Sequence, residues 1–230
     1  MLSVVIPTLN AASDLAQTIA ALTPGRASGV IEEIVVVDGA SRDDSAVLAA
    51  QAGAQVITSP PGRGGQLRLG AGAARSDWLL FLHADTRPDP GTWRDPQFLG
   101  ILAAAGGRPV ERAWYFRLAF DDPGASASVI AFGANIRARA LALPYGDQGL
   151  LIHRRLYDAV GGYRALPLME DVDLVRRLGR NRLAALQLAA TTSAARYRRQ
   201  GYWRRVAGNA KLLAMYYAGV SPEELARRYG

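Results

Sequence analysis

The chain has 230 residues, half of them hydrophobic and a fifth charged, and carries a formal net charge of +7. That length and apolar content allow a sizeable core in one large domain or two small ones. With no cysteine, disulfides and thiolate metal sites are excluded, and the longest apolar runs fall short of the ~20 residues a spanning helix needs.

Ser3-Val4-Val5-Ile6 predicts a first strand, ended by Pro7-Thr8-Leu9-Asn10 because Pro7 has no N–H to give a ladder. Ser13 is placed as the N-cap of a helix carrying Leu15, Ile19 and Leu22, stopped by Pro24-Gly25. Ile34 to Val37 predicts a second strand ending at Asp38-Gly39. Ser41-Arg42-Asp43-Asp44 matches a capping box for a helix through about Gln51, and Gln55-Val56-Ile57 gives a third strand. The loop Pro60 to Gln66 opens a small-residue helix to Arg75, and Trp78 to Leu82 is the fourth strand, apolar on both faces. Strands alternating with helices from the first residues predict a doubly wound, mostly parallel α/β sheet flanked by helices.

After Pro96 the pattern changes. Trp114 to Phe120 alternates as a strand, Ser126 to Leu143 reads as a helix, and Leu150 to Ile152 as a short strand. Arg154 to Val160 forms a helix ended by Gly161-Gly162, Glu170 opens another, and Leu183 to Ala190 is ambiguous. Tyr202 to about Tyr217 and a short segment from Pro222 complete a single domain over residues 1–230, in two halves of about 1–95 and 96–230.

Several polar residues fall where strands leave the sheet. In open α/β sheets ligands bind beyond the carboxyl ends of the strands, which brings together Pro7-Thr8, Asp38 and His83-Ala84-Asp85. A carboxylate there can hold a divalent cation, which can in turn hold a phosphate. The bland alternatives are local turns, with Asp38 bonded to the following backbone, Asp85 likewise, and Thr86-Arg87-Pro88 as a turn. Gly62 to Gly72 fits neither the dinucleotide fingerprint nor a P-loop. It leaves a loop with Arg63 feeding a helix N-terminus that favours anions, or else a glycine-rich helix packed close on the sheet. Glu170-Asp171-Val172-Asp173 suits a helix N-terminus through the dipole. A carboxylate emerging from the apolar Leu166 to Met169 rim also suits a general base.

Val4 to Asn10, Val35 to Ser41 with Asp43 and Ser45, Leu80 to Thr86, and Glu170 to Leu174 together resemble the family 2 glycosyltransferases of GT-A fold, over roughly residues 2 to 180. Gly62 to Gln66, His83 to Thr86 and Tyr145 to Gly149 resemble a short bacterial subgroup of that family. The resemblance implies a single GT-A-like domain and a nucleotide-sugar donor, usually a UDP-sugar, with Mn²⁺ or Mg²⁺. It implies that Pro7, Thr8, Asn10 and Asp38 line the nucleoside site, joined at the donor by Arg63, Gln66 and His83. Asp85 would be the last carboxylate of a DxD-like motif and the metal ligand. Asp171 would be the base that deprotonates an acceptor hydroxyl, with inversion at the sugar. Asp147, Gln148 and Glu170 are placed at the acceptor by position. The chain departs from the family pattern where His83 replaces the first aspartate of DxD. The late Gln-x-x-Arg-Trp element of processive members is absent; Arg199-Gln200-Gly201-Tyr202-Trp203 only echoes it.

Two other functions compete. A degenerate donor-binding protein is supported by His83. A nucleotidyltransferase would want a glycine-rich loop after the first strand, where Pro7 to Asn10 stand instead. The basic excess lies late, from Arg176 to Lys211; no nucleic-acid motif accompanies it, and no nucleic-acid partner is expected. Residues 202–230 place Val206, Ala210, Leu213 and Tyr217 on one helical side, near Arg204, Arg205 and Lys211. Such a face can meet anionic lipid near a lipid-linked acceptor. Packing on the domain or on a second subunit, as in a homodimer, is favoured over that. With Met1-Leu2-Ser3 leading straight into a strand, no signal peptide is expected, and the expected location is the cytoplasm or the inner face of its membrane.

Overall fold

The computed structural model describes residues 1–104 and 110–228. In its first half three βα steps lay down the parallel part of the sheet. They comprise β1 (Leu2–Thr8), α1 (Ala12–Ala27), β2 (Ile31–Asp38), α2 (Ser45–Gln51), β3 (Gln55–Thr58), α3 (Arg63–Ala73) and β4 (Trp78–Phe81). Then come β5 (Thr86–Pro88), α4 (Pro96–Ala103), β6 (Ala113–Phe120), α5 (Ala125–Leu141), β7 (Leu150–His153), α6 (Arg154–Ala159) and α7 (Glu170–Leu178). The chain closes with β8 (Leu183–Thr192), α8 (Ala195–Gln200), α9 (Tyr202–Tyr217) and α10 (Pro222–Arg228). All eight strands share one sheet in the order β3-β2-β1-β4-β7-β6-β8-β5. Pairing is parallel except where β7 meets β4 and β6, and where β5 meets β8.

The central strands are apolar on both faces because each face is covered. Leu2, Val4 and Ile6 pack with Ile34, Val36, Trp78 and Leu80 against Leu15, Ile19 and Leu22 of α1. The intervening Val5, Val35, Val37, Leu79 and Phe81 turn to the other face, against Leu67 and Ala71 of α3. Gly70 lets α3 approach: a Cβ there would lie 2.4 Å from Val5 Cγ1. Gly70 thus serves close helix–sheet packing, whereas a Cβ at Gly64 would meet the backbone of Arg164 and Leu166 instead.

Several local expectations are corrected. Pro7 stays in β1, paired with Val37, because β2 runs alongside to Asp38 while pairing with β4 ends at Val5. Helix α1 does not stop at Pro24-Gly25 but runs to Ala27. Pro24 forfeits only one late helix hydrogen bond, and Gly25 serves packing, since a Cβ there would sit 2.7 Å from Ile31 and 2.8 Å from Trp93. Ser13 is not the cap of α1. The amides of Ala11 and Ala12 instead donate to Ser45 Oγ at 3.0 Å and Asp43 Oδ2 at 3.0 Å. The capping box at Ser41 does not form, because Ser41 turns back to bond Asp38 and α2 begins at Ser45. Thr86-Arg87-Pro88 is a strand rather than a turn, held antiparallel by β8, into which the ambiguous Leu183 segment resolves.

Helix α9 buries Leu212 against Leu168 and Leu225, and sets Leu213 and Tyr216 on Val172 and Val175. The side facing the domain is thus centred on Leu212, and Tyr217 is exposed. The last two residues of the 202–230 segment lie outside the described residues. Among the described residues no helix is long and apolar enough to cross a membrane.

Candidate active site

The carboxyl ends of β1 and β4 and the start of α3 open onto one cleft of about 300 Å³, lined by Pro7, Thr8, Arg63, Gln66, His83 and Asp85 together with Asp14 and Arg196. Of the expected donor residues, Asn10 and Asp38 do not line it. Both oxygens of Asp38 accept from Ser41, one from its amide at 2.9 Å and the other from its hydroxyl. Asn10 adopts φ 49° and accepts from the Arg42 amide at 2.8 Å, while its own amide donates to Ser41 Oγ at 2.9 Å. Together they lock the loops after β1 and β2 to each other. Gln66 lines the cleft, but its Nε2 donates to the carbonyls of Thr8 at 2.9 Å and Val37 at 2.7 Å, pinning the strand ends.

The ionisable groups His83 and Asp85 line the same cleft. Burial holds the His83 imidazole well below its ordinary value, with Arg63 and Arg196 adding, so the ring is neutral. Arg63 Nη1 lies 3.3 Å from His83 Nε2. The opposite wall is Gly146, where a Cβ would fall 2.3 Å from Nε2. Burial raises the Asp85 carboxyl; Arg196 opposes this and Asp14 adds to it.

The second half of the chain contributes the other carboxylates. Met169, with φ 63°, turns the chain sharply into α7. Left-handed backbone is uncommon at a non-glycine residue. The turn splits the three acidic residues among three fates. Asp173 is structural, paired with Arg164 at 3.1 Å and Arg177 at 2.6 Å. Glu170 is buried, with Arg63 Nε 3.1 Å from Oε1. That oxygen accepts no hydrogen bond, so the contact is an ion pair whose N–H points off line. Burial pushes Glu170 up to about 7, with Arg63 opposing and Asp171 adding. Asp171 is half-buried. Its Oδ2 accepts from the Gly146 amide at 2.8 Å and its Oδ1 from the Val172 amide at 2.7 Å. A void of about 20 Å³ touches His83, Gly146, Glu170 and Asp171, room for one water.

The turn carrying Gly146 also carries two of the expected acceptor residues. Asp147 Oδ1 is shut off from solvent without a partner. Burial raises Asp147 to about 6; Arg137 opposes, and Asp171 and Asp85 add. Gln148 is not brought to the cleft. It is fully buried, and its Nε2 donates to the Phe116 carbonyl at 3.1 Å, toward the core.

Asp14 and Arg196 are cleft residues that the sequence did not single out. Arg196 arrives through β8: the Ser193 amide donates to the Asp85 carbonyl at 3.1 Å, and α8 follows at once. Among the described residues no group of three or more His, Cys, Asp or Glu side chains is arranged to hold a metal ion. Asp85 beside a neutral imidazole still fits a cation whose remaining ligands are phosphate oxygens and water, the usual mode for Mg²⁺.

Residues 3–96 match the model of glycosyl transferase family 2. Glucosyl-3-phosphoglycerate synthase of Mycolicibacterium paratuberculosis is 28% identical over 142 residues, 57% of this chain and 43% of that protein. An uncharacterized glycosyltransferase of Mycobacterium bovis is 37% identical over 90 residues, 39% of this chain and 38% of that protein. The chain thus spans less than half the length of these curated relatives. Among solved structures, mannosyl-3-phosphoglycerate synthase of Rubrobacter xylanophilus superposes with a TM-score of 0.57 at 20% identity, covering 88% of this chain and 75% of that one. Glucosyl-3-phosphoglycerate synthase of Mycobacterium tuberculosis, solved with Mn²⁺, UDP and glucosyl-3-phosphoglycerate, gives 0.55 at 23%, covering 84% and 70%. The sheet and its flanking helices are thus those of the GT-A fold.

Proposed function

We propose that this chain, whose residues 3–96 match the glycosyl transferase family 2 model, is a member of that family and transfers a sugar from a nucleotide-diphosphate sugar, a UDP-sugar, to a hydroxyl acceptor with inversion. The observation that supports this most is one juxtaposition. Asp85, Arg63 and Arg196 gather at the mouth of β4, and Asp171 stands behind His83, held by two backbone amides.

Arg63 and Arg196 supply positive charge where a diphosphate would lie. Gln66, by fixing the ends of β1 and β2, keeps Pro7 and Thr8 in place as a wall for the nucleoside. A Mn²⁺ or Mg²⁺ ion held by Asp85, when bound, would neutralise charge on the departing diphosphate. The Gly146 and Val172 amides aim the Asp171 carboxylate, leaving lone pairs free to take the proton of an acceptor hydroxyl. Attack from that side, opposite the diphosphate, inverts the anomeric carbon. Arg63 reaches both His83 and Glu170, so one guanidinium couples the donor wall to the helix that carries the base.

Phosphoglycerate, present in complexes of the mycobacterial synthase, is the first acceptor to test. A lipid-linked acceptor at a membrane face is a second reading. It is favoured by the exposed apolar row Val129, Phe132 and Ile136 on α5, with Trp203 exposed on α9. The test is a thermal-shift screen of nucleotide sugars with Mn²⁺ present, followed by donor hydrolysis with and without the metal. Stabilisation by UDP-sugars together with Mn²⁺-dependent hydrolysis is expected. Donor binding without any hydrolysis would leave a degenerate binding protein, and no binding of any nucleotide sugar would end the proposal.

A further inference from the structure

Helices α8, α9 and α10 enclose a second cleft of about 460 Å³, lined by Arg199, Arg204, Arg205, Lys211 and Arg228 and, among the described residues, by no acidic side chain. Two of these cations are committed. Arg228 pairs with Glu224 at 2.8 Å, and Arg205 bonds Gln200 at 2.7 Å beneath the Tyr197 ring. Arg199, Arg204 and Lys211 are exposed and make no ion pair or side-chain hydrogen bond among the described residues. Cations gathered in a concave surface with no counter-charge repel one another and concentrate anions.

The position of this cleft matters as much as its charge. Asn209 and Leu212 of α9 line it on one side and on the other line the pocket that holds Asp171, Glu170, Met169 and Arg63. The basic cleft therefore adjoins, through Asn209 and Leu212, the pocket that carries Asp171.

Resting on the glycosyltransferase reading, we propose that this cleft is a phosphate subsite: the acceptor carries a phosphate ester that Arg199, Arg204 and Lys211 hold while its hydroxyl lies at Asp171. The guanidinium forks of the two arginines match paired phosphate oxygens, and the lysine adds a point charge. A soluble sugar or hydroxy-acid phosphate and a phospholipid headgroup offer the same chemistry, so the experiment separates them.

Binding of inorganic phosphate, and of vesicles of phosphatidic acid in phosphatidylcholine, is measured by titration without divalent cation. Wild type is compared with the double variant Arg204→Glu/Lys211→Glu and with Arg94→Glu, an exposed control outside the cleft. UDP binding with Mn²⁺ is measured on each. The expectation is salt-sensitive phosphate binding that weakens by about tenfold or more in the double variant, as for loss of charge-assisted contacts, with UDP binding unchanged and Arg94→Glu like wild type. Binding of phosphate alone assigns a soluble ester, and of vesicles as well a lipid headgroup. The proposal is overturned if wild type binds neither probe, if the double variant binds like wild type, or if Arg94→Glu loses as much. Failure of UDP to bind wild type would sink the donor reading instead, so the two failures are distinct.

Discussion

The two halves of the chain differ in how far some of their buried polar residues are bonded. In the first half, three of the polar groups near the strand ends are spent on the frame: Asp38 on Ser41, Asn10 on Arg42 and Ser41, Gln66 on two strand carbonyls. In the second half, two buried carboxylates are left only partly bonded. Glu170 and Asp147 are raised by burial, each with an oxygen that accepts no hydrogen bond. A fully bonded polar group rigidifies, whereas a buried one left partly bonded stores the drive to take a proton or a cation. The first half frames the donor wall and brings Asp85 to the cleft, and the second sets Glu170 and Asp171 against it.

The contrast can be broken by exchanging the expected effects. Asp171→Asn should leave UDP affinity intact and lower turnover by about 10²–10⁴-fold, the loss typical of a general base. Steady-state kinetics with a UDP-sugar checks this, and unchanged turnover would return Asp171 to a helix-end role. Gln66→Leu, on the framing side, should act on stability first. It leaves the Thr8 and Val37 carbonyls without their side-chain donor, at a cost of about 1–3 kcal/mol, read by denaturant unfolding. Loss of turnover with full stability would move Gln66 into the chemistry.

The smallest effect depends on pH. Asp147 is raised from 3.8 to about 6, so across that window the folded chain keeps a proton that the unfolded chain releases. Stability therefore falls as pH rises through the window. Asp147→Asn removes that loss. It should be more stable than wild type above pH 6 and no different below 3.8, by thermal unfolding without divalent cation. An equal gain at both ends would mean that the Asp147 charge is not under strain.

The same contrast sets what the sequence could tell. The strands of the first half were legible because both faces are apolar and the runs end at polar residues. Asp85, His83 and Arg63 were found because each adjoins a strand end or a helix start. Arg196 escaped because it reaches the cleft only through the pairing of β5 with β8, between segments far apart in the chain. Glu170 was placed by position, but its burial against Arg63 depends on the turn at Met169, which no local pattern announces. Gln148 adjoins Asp147 in a short turn, and only the path of that turn decides which of them faces the core.

The central claim is that groups from both halves act at one donor site, and paramagnetic broadening by Mn²⁺ tests it most directly. With UDP bound, Mn²⁺ should bleach the backbone amide signals of Ala84 and Thr86 beside Asp85, and also those of Gly146 and Val172, which hold Asp171. Mg²⁺ should leave them sharp, and Asp85→Ala should abolish the effect. Bleaching confined to a surface carboxylate such as Glu223, or bleaching around Asp85 that never reaches Gly146 and Val172, would contradict the account.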